Sequence, residues 1–103
     1  MSSYRARIEA FFEAAHNLRL YRGKPEPLHG HSWKVEVEVE AQKLDGEGMA
    51  MDFVELREAL QALVNQVHYK YINEVRPFTD VAPSAENLAR WFFDGLEPTV
   101  RSA

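Results

Sequence analysis

From Tyr4 to Ala10 the chain alternates: Tyr4, Ala6, Ile8 and Ala10 fall on one side, with Arg5, Arg7 and Glu9 on the other. That pattern predicts a half-buried strand. Phe11-Phe12-Glu13-Ala14-Ala15-His16 is a second strand-like segment. Residues 31–41 give the cleanest alternation, with Trp33, Val35, Val37, Val39 and Ala41 facing one way and Lys34, Glu36, Glu38 and Glu40 the other. Between the two strand regions, Asn17, Arg19, Arg22, Gly23, Lys24, Pro25 and Pro27 read as a loop.

After a turn at Asp45-Gly46-Glu47-Gly48 the apolar spacing changes from two to three and four. Phe53, Leu56, Leu60, Leu63, Val64 and Val67 form one stripe of a helix packed on a sheet. Asp52 caps it, and Glu55 three residues on completes a capping box. Residues 68–83 are mostly loop, punctuated by Pro77 and Pro83. A second helix starts near Ser84, presents Leu88, Trp91, Phe92 and Leu96, and ends near Pro98. The order strand, strand, helix, helix places the chain in the α+β class. A two-stranded ribbon is a poor independent fold. The pattern therefore predicts that the sheet is completed by other subunits, that the chain is short at its C-terminus, or both.

The bulk numbers narrow the class without choosing a function. At 103 residues the chain is one domain, residues 1–103. It has no cysteine, which removes disulfides and thiolate zinc sites and fits a cytoplasmic setting. The net charge of -4 does not indicate a nucleic-acid or anionic-membrane surface. No apolar run is long enough to span a bilayer, and Met1-Ser2-Ser3-Tyr4-Arg5 lacks the apolar core of a secretory signal.

The histidines supply the candidate chemistry. His29 and His31 flank Gly30, and residues two apart on a strand share a face. Gly30 is expected to let the backbone bend and to keep space open beside the two rings. If the strands pair, His16 reaches the same point. Three imidazoles with no fourth protein ligand suit a catalytic zinc ion, because one coordination position stays free for water or substrate. The alternative is that histidines at strand ends serve only as surface or hydrogen-bonding groups.

Five segments then occur in order: Phe12-Glu13-Ala14-Ala15-His16, His29-Gly30-His31, Gly48-Met49-Ala50-Met51-Asp52-Phe53, Tyr71-Ile72-Asn73 and Pro83-Ser84-Ala85-Glu86-Asn87. Together they resemble the 6-pyruvoyltetrahydropterin synthase family, which includes the bacterial 6-carboxytetrahydropterin synthases, from about Tyr4 to Leu96. The resemblance implies a tunnelling fold, an antiparallel sheet with two helices on one face, whose final strands are missing from this chain. It implies a homo-oligomer in which three subunits close a barrel and two rings stack. It also implies Zn2+ on His16, His29 and His31, a pterin substrate held partly by Ser84 and Glu86, and lyase chemistry on 7,8-dihydroneopterin triphosphate.

The departures shape the expected reaction. Where members that make the pyruvoyl or carboxy product carry a cysteine, this chain has Pro25; where they carry an Asp-His pair, it has His68-Tyr69. Glu26, three residues before His29, resembles a subgroup in which glutamate stands in for the cysteine. Those relatives cleave the side chain to 6-hydroxymethyl-7,8-dihydropterin. A carboxylate beside zinc is a suitable general base, and His68 is a candidate proton carrier or fourth ligand. The expected catalytic residues are Glu26 and His68. A 6-carboxytetrahydropterin synthase-like reaction is the variant of this reading. The alternative from another class is a zinc- and pterin-binding homologue that does not catalyse.

Overall fold

The computed structural model describes residues 3–102. Two long strands, β1 (Tyr4–His16) and β2 (His29–Ala41), pair antiparallel over their whole length, from Tyr4 opposite Ala41 to His16 opposite His29. The segment Phe11–His16 is thus the end of one strand that starts at Tyr4, not a separate one. Helix α1 (Phe53–Val67), the two-residue strand β3 (Lys70–Tyr71) and helix α2 (Ala85–Arg101) follow. The sheet order is β2-β1-β3.

The alternation decides which face is covered. Ile8, Phe12, Ala14 and Val39 are buried on the inner face, together with Leu56, Leu60, Val64 and Val67 of α1 and Leu88, Phe92 and Leu96 of α2. The Phe12 and Trp33 rings sit opposite each other across the strands and stack, with centroids 5.8 Å apart and planes within 2°. Burying one such side chain contributes about 1.5–3 kcal/mol, so this face holds the ribbon to the helices. The outer face carries ion pairs instead, Arg5 with Glu38 and Glu40, Arg7 with Glu36, and Lys34 with Glu9 and Glu36. The glutamates of β2 therefore face solvent and their cross-strand cations.

Four details differ from the expectation. The segment after α1 adds a third strand: β3 lies parallel to β1, pairing Lys70 with Ala14 and Tyr71 with Ala15, and the Tyr69 amide donates to the Glu13 carbonyl. The sheet is consequently mixed. Two residues of non-local pairing leave too short a periodicity to be seen in sequence. Helix α2 does not stop at Pro98 but continues to Arg101. The proline costs one backbone donor, yet its own carbonyl accepts from the Ser102 amide, which carries the last turn. Asp52 caps α1 by accepting from the Val54 amide, so the bond falls one residue short of the Glu55 position a capping box uses. Gly30 sits within a regular strand, and a Cβ there meets Ala14 O and Ala15 Cβ at 3.9 Å, ordinary contact distances on the face away from the rings. Neither a bend nor open space beside the imidazoles depends on it.

Candidate metal centre

The strand register that builds the core also builds the site. His16 is directly opposite His29, and Ala14 is opposite His31, so all three imidazoles stand on the inner face at one end of the ribbon. Their ring centroids are 4.6 Å (His16–His29), 5.0 Å (His16–His31) and 5.3 Å (His29–His31) apart. One nitrogen from each lies within 4.8 Å of the other two. Among the described residues this is the one such cluster of histidine and carboxylate ligands, and His68 is not part of it.

Two ring orientations are fixed by backbone carbonyls. His16 Nδ1 is 2.7 Å from Pro83 O, and His29 Nδ1 is 3.1 Å from Pro27 O. A carbonyl only accepts, so each Nδ1 carries the proton and each Nε2 keeps a lone pair. Outer bonds of this kind typically orient histidines that bind metal. The residues present therefore fit a divalent cation. Zn–N bonds of about 2.0–2.1 Å in a tetrahedral set need ligand nitrogens about 3.3 Å apart, a modest closing of the observed cluster.

Trp33 is the wall between core and centre. Its ring lies 4.8 Å from His16 and 4.4 Å from His31, and its indole N–H donates to Ala14 O at 3.3 Å. Burial graduates outward: His16 is 7% exposed, His29 is half-buried and His31 is exposed. The pKa of His31 is lowered, first by desolvation and then by the charges His16 and His29 acquire on protonation, with Glu13 opposing. Both leading causes favour the neutral ring that a metal requires.

Glu26 is in the loop before His29. Its Oε1 accepts from the Leu18 amide at 3.1 Å and lies 3.9 Å from His29 Nδ1. The carboxylate is thus beside the His29 ring, on its protonated side. Ser84 caps α2, its Oγ accepting from the Asn87 amide at 3.1 Å, and the preceding Pro83 carbonyl ties that helix start to His16. Glu86 is exposed in the first turn of α2. His68 is at the edge of β1, where its Nδ1 accepts from the Glu13 amide at 3.1 Å and its ring packs 4.0 Å from that of Tyr69. The Pro27 and Pro83 carbonyls escape sequence reading because backbone acceptors leave no residue-type signal, and Trp33 and Asn17 read there only as a strand-face and a loop residue.

The fold and site define an α+β protein with a three-imidazole cluster at a strand end that could hold a metal ion. The profile of the family described as "6-pyruvoyl tetrahydropterin synthase" matches residues 5–103. The chain belongs to that family. It is 38% identical over 94 residues to a 6-carboxy-5,6,7,8-tetrahydropterin synthase of Synechocystis sp., an alignment covering 86% of this chain and 71% of the relative. It is 33% identical over 98 residues to a dihydroneopterin monophosphate aldolase of Pyrococcus furiosus, covering 93% and 79%. A solved 6-pyruvoyl tetrahydropterin synthase from Caenorhabditis elegans superposes with a TM-score of 0.81 at 22% identity, covering 96% of this chain and 80% of that one. One from Plasmodium vivax, a glutamate-to-alanine mutant of a catalytic residue, superposes with a TM-score of 0.77 at 19% identity, covering 97% and 81%. The fold is the tunnelling fold that the resemblance implied. No helix is long and apolar enough to cross a membrane among the described residues.

Proposed function

We propose that this protein is a zinc-dependent lyase that cleaves the side chain of 7,8-dihydroneopterin triphosphate to 6-hydroxymethyl-7,8-dihydropterin. The observation that carries the reading is the pairing of His16, His29 and His31 with a clamped carboxylate, Glu26, 3.9 Å from His29. Zn2+ held by His16, His29 and His31 would supply Lewis-acid polarisation of the substrate side-chain oxygens. Glu26 accepts the proton of the second side-chain hydroxyl, the bond between the first and second side-chain carbons breaks with its electron pair passing to the pterin imine, the outer two carbons leave as a phosphorylated aldehyde, and a proton returns to the first carbon. Ser84 and Glu86 hold the pterin ring at the start of α2. His68, with Nδ1 engaged by the Glu13 amide, presents Nε2–H as a hydrogen-bond donor, and the proton that Glu26 has taken is the one returned to carbon. The aldolase relative supports bond cleavage, beside the carboxy-producing reaction named for the Synechocystis relative, and the Plasmodium vivax relative has a glutamate as a catalytic residue. The working form is a homo-oligomer, a trimer or a hexamer.

The test is direct. Zinc-loaded protein is incubated with dihydroneopterin triphosphate and, in parallel, with the monophosphate, and products are separated by chromatography. Formation of 6-hydroxymethyl-7,8-dihydropterin, lost by at least about 10²-fold in Glu26→Gln, supports the reading. Pterin binding without turnover supports the non-catalytic alternative. A second role for Glu26 has its own observation, since the carboxylate is on the Nδ1 side of His29 and is able to orient that ring. Glutamine keeps an oxygen for the Leu18 amide but loses basicity. Full turnover in Glu26→Gln therefore assigns orientation, and loss of turnover with zinc retained assigns the base.

A further inference from the structure

The residue after the buried metal ligand uses every polar group it has. The Asn17 amide donates to Asn73 Oδ1 at 3.1 Å, and the Asn17 carbonyl accepts from Asn73 Nδ2 at 2.9 Å. The Asn17 side chain donates from Nδ2 to the Glu26 carbonyl at 2.9 Å and accepts at Oδ1 from the Tyr71 hydroxyl at 2.5 Å. A carbonyl cannot donate, so the Glu26 contact fixes Nδ2 on that side and leaves Oδ1 to the tyrosine, which must then be the donor. Asn73 is 7% exposed, and its side chain serves Asn17 as a neighbouring strand would.

We propose that Asn17, locked by Tyr71 and Asn73, positions Glu26 against His29, and that the three together are positioning residues for the reaction. This rests on the reading of Glu26 as the base. The chain of contacts runs from β1, through Asn17, into the loop that carries Glu26 and on to β3 and the turn after it. His16 and the Glu26 loop are thereby referred to one another through the Asn17 side-chain amide as well as through Leu18. The loop's own clamp, Glu26 N–H to Leu18 O at 2.8 Å and Leu18 N–H to Glu26 Oε1 at 3.1 Å, holds the carboxylate relative to the loop. The Asn17 side-chain bond to the Glu26 carbonyl adds a further tie between that clamp and the strand end bearing His16. Arg19 anchors the same loop by donating to the carbonyls of Asn73 and Phe78 at 3.1 and 2.5 Å. It grips the loop beside Leu18 and makes no bond to Glu26 itself. A base misplaced by an ångström loses much of its effect while substrate binding elsewhere is untouched.

The experiment uses Tyr71→Phe, which removes one hydroxyl and keeps the ring, with Asn17→Ala as the harsher variant. Amide exchange is followed by NMR in the zinc-loaded protein, and turnover of dihydroneopterin triphosphate is measured alongside. In Tyr71→Phe the Leu18 and Glu26 amides exchange about tenfold faster while those of α1 are unchanged. The kcat falls about tenfold, KM stays within about twofold, and zinc content is that of the parent. Asn17→Ala gives the same pattern, enlarged. Wild-type protection of those two amides in Tyr71→Phe overturns the proposal, as does a loosened loop with unchanged kcat. Full turnover in Glu26→Gln fails the reading beneath it instead, and the exchange result then stands as a structural fact alone.

Discussion

The inner face of the β1–β2 ribbon has two halves built by one rule. Toward the middle, the positions that point inward are Ile8, Phe12, Trp33 and Val39, and the helices cover them. At the end, the same alternation delivers His16, His29 and His31. Nothing in the backbone changes between the halves; the strands stay paired to His16 opposite His29. What changes is side-chain chemistry and cover. Trp33 stands at the boundary, stacked on Phe12 on one side and against two imidazoles on the other. The lesson is that this site inherits its rigidity from the core instead of carrying its own. Substitution in the core half should consequently cost both stability and metal affinity, and substitution in the end half metal affinity alone.

The largest expected effect breaks the core half. Phe12 is 2% exposed, and Phe12→Ala leaves a cavity under Trp33. Chemical denaturation should show a loss of about 3–5 kcal/mol. Zinc affinity of the surviving folded fraction should fall too, because the wall beside His16 and His31 is no longer held. Unchanged metal affinity in that variant would show that the centre is independent of the core.

The reciprocal substitution, His31→Ala, should spare the fold. His31 is exposed, so stability of the metal-free protein is expected within about 0.5 kcal/mol of the parent. Zinc affinity, read by competition with a chromophoric chelator, should fall by more than the roughly 10–100-fold that loss of an outer hydrogen bond typically costs. Equal affinity would exclude His31 as a ligand.

How much of this was legible differs between the halves. The alternation of residues 31–41 announced the β2 core face, and the same period of two put His29 and His31 together. His16 followed once the strands were paired. What sequence hid was long-range or carried by backbone: the Pro83 and Pro27 carbonyls that fix two ring tautomers, and β3, whose register comes from contact with Ala14 and Ala15. Asn17 looked like the first residue of a loop, because its four partners are distributed over Glu26, Tyr71 and Asn73. The Tyr71-Ile72-Asn73 motif marked the place without giving its physical use. Pro98 misled for a different reason: it removes one donor to the preceding turn, while its own carbonyl still accepts from Ser102 and the helix runs on to Arg101.

Gly30 offers a smaller test of whether the end half needs special backbone. A Cβ there meets its nearest atoms at 3.9 Å, on the face opposite the imidazoles. Gly30→Ala is expected to change stability by less than about 1 kcal/mol, toward greater stability, since alanine loses less freedom in a strand. Zinc content should be that of the parent. Loss of metal in this variant would return to the glycine the role its sequence position first suggested.

The smallest effect belongs to the outer face and sharpens the contrast with the inner one. Lys34 has its pKa raised, chiefly by hydrogen bonds to Glu36 and then Glu9, and Glu36 has its pKa lowered, chiefly by Lys34. A carboxylate with a lowered folded pKa contributes stability above its unfolded pKa and loses it as pH falls through the folded value. The ammonium contributes below its unfolded pKa and loses its share as pH rises through the raised folded value. Both ends of that window lie far from neutrality. Both groups are solvated, and screening leaves such pairs little net worth. Lys34→Met should therefore leave the denaturation midpoint at neutral pH within measurement error, and any difference from the parent should shrink as salt is raised. A destabilisation comparable to that of Phe12→Ala would mean that this charged face is covered in the working protein and that the pair is buried there, as at an interface between copies.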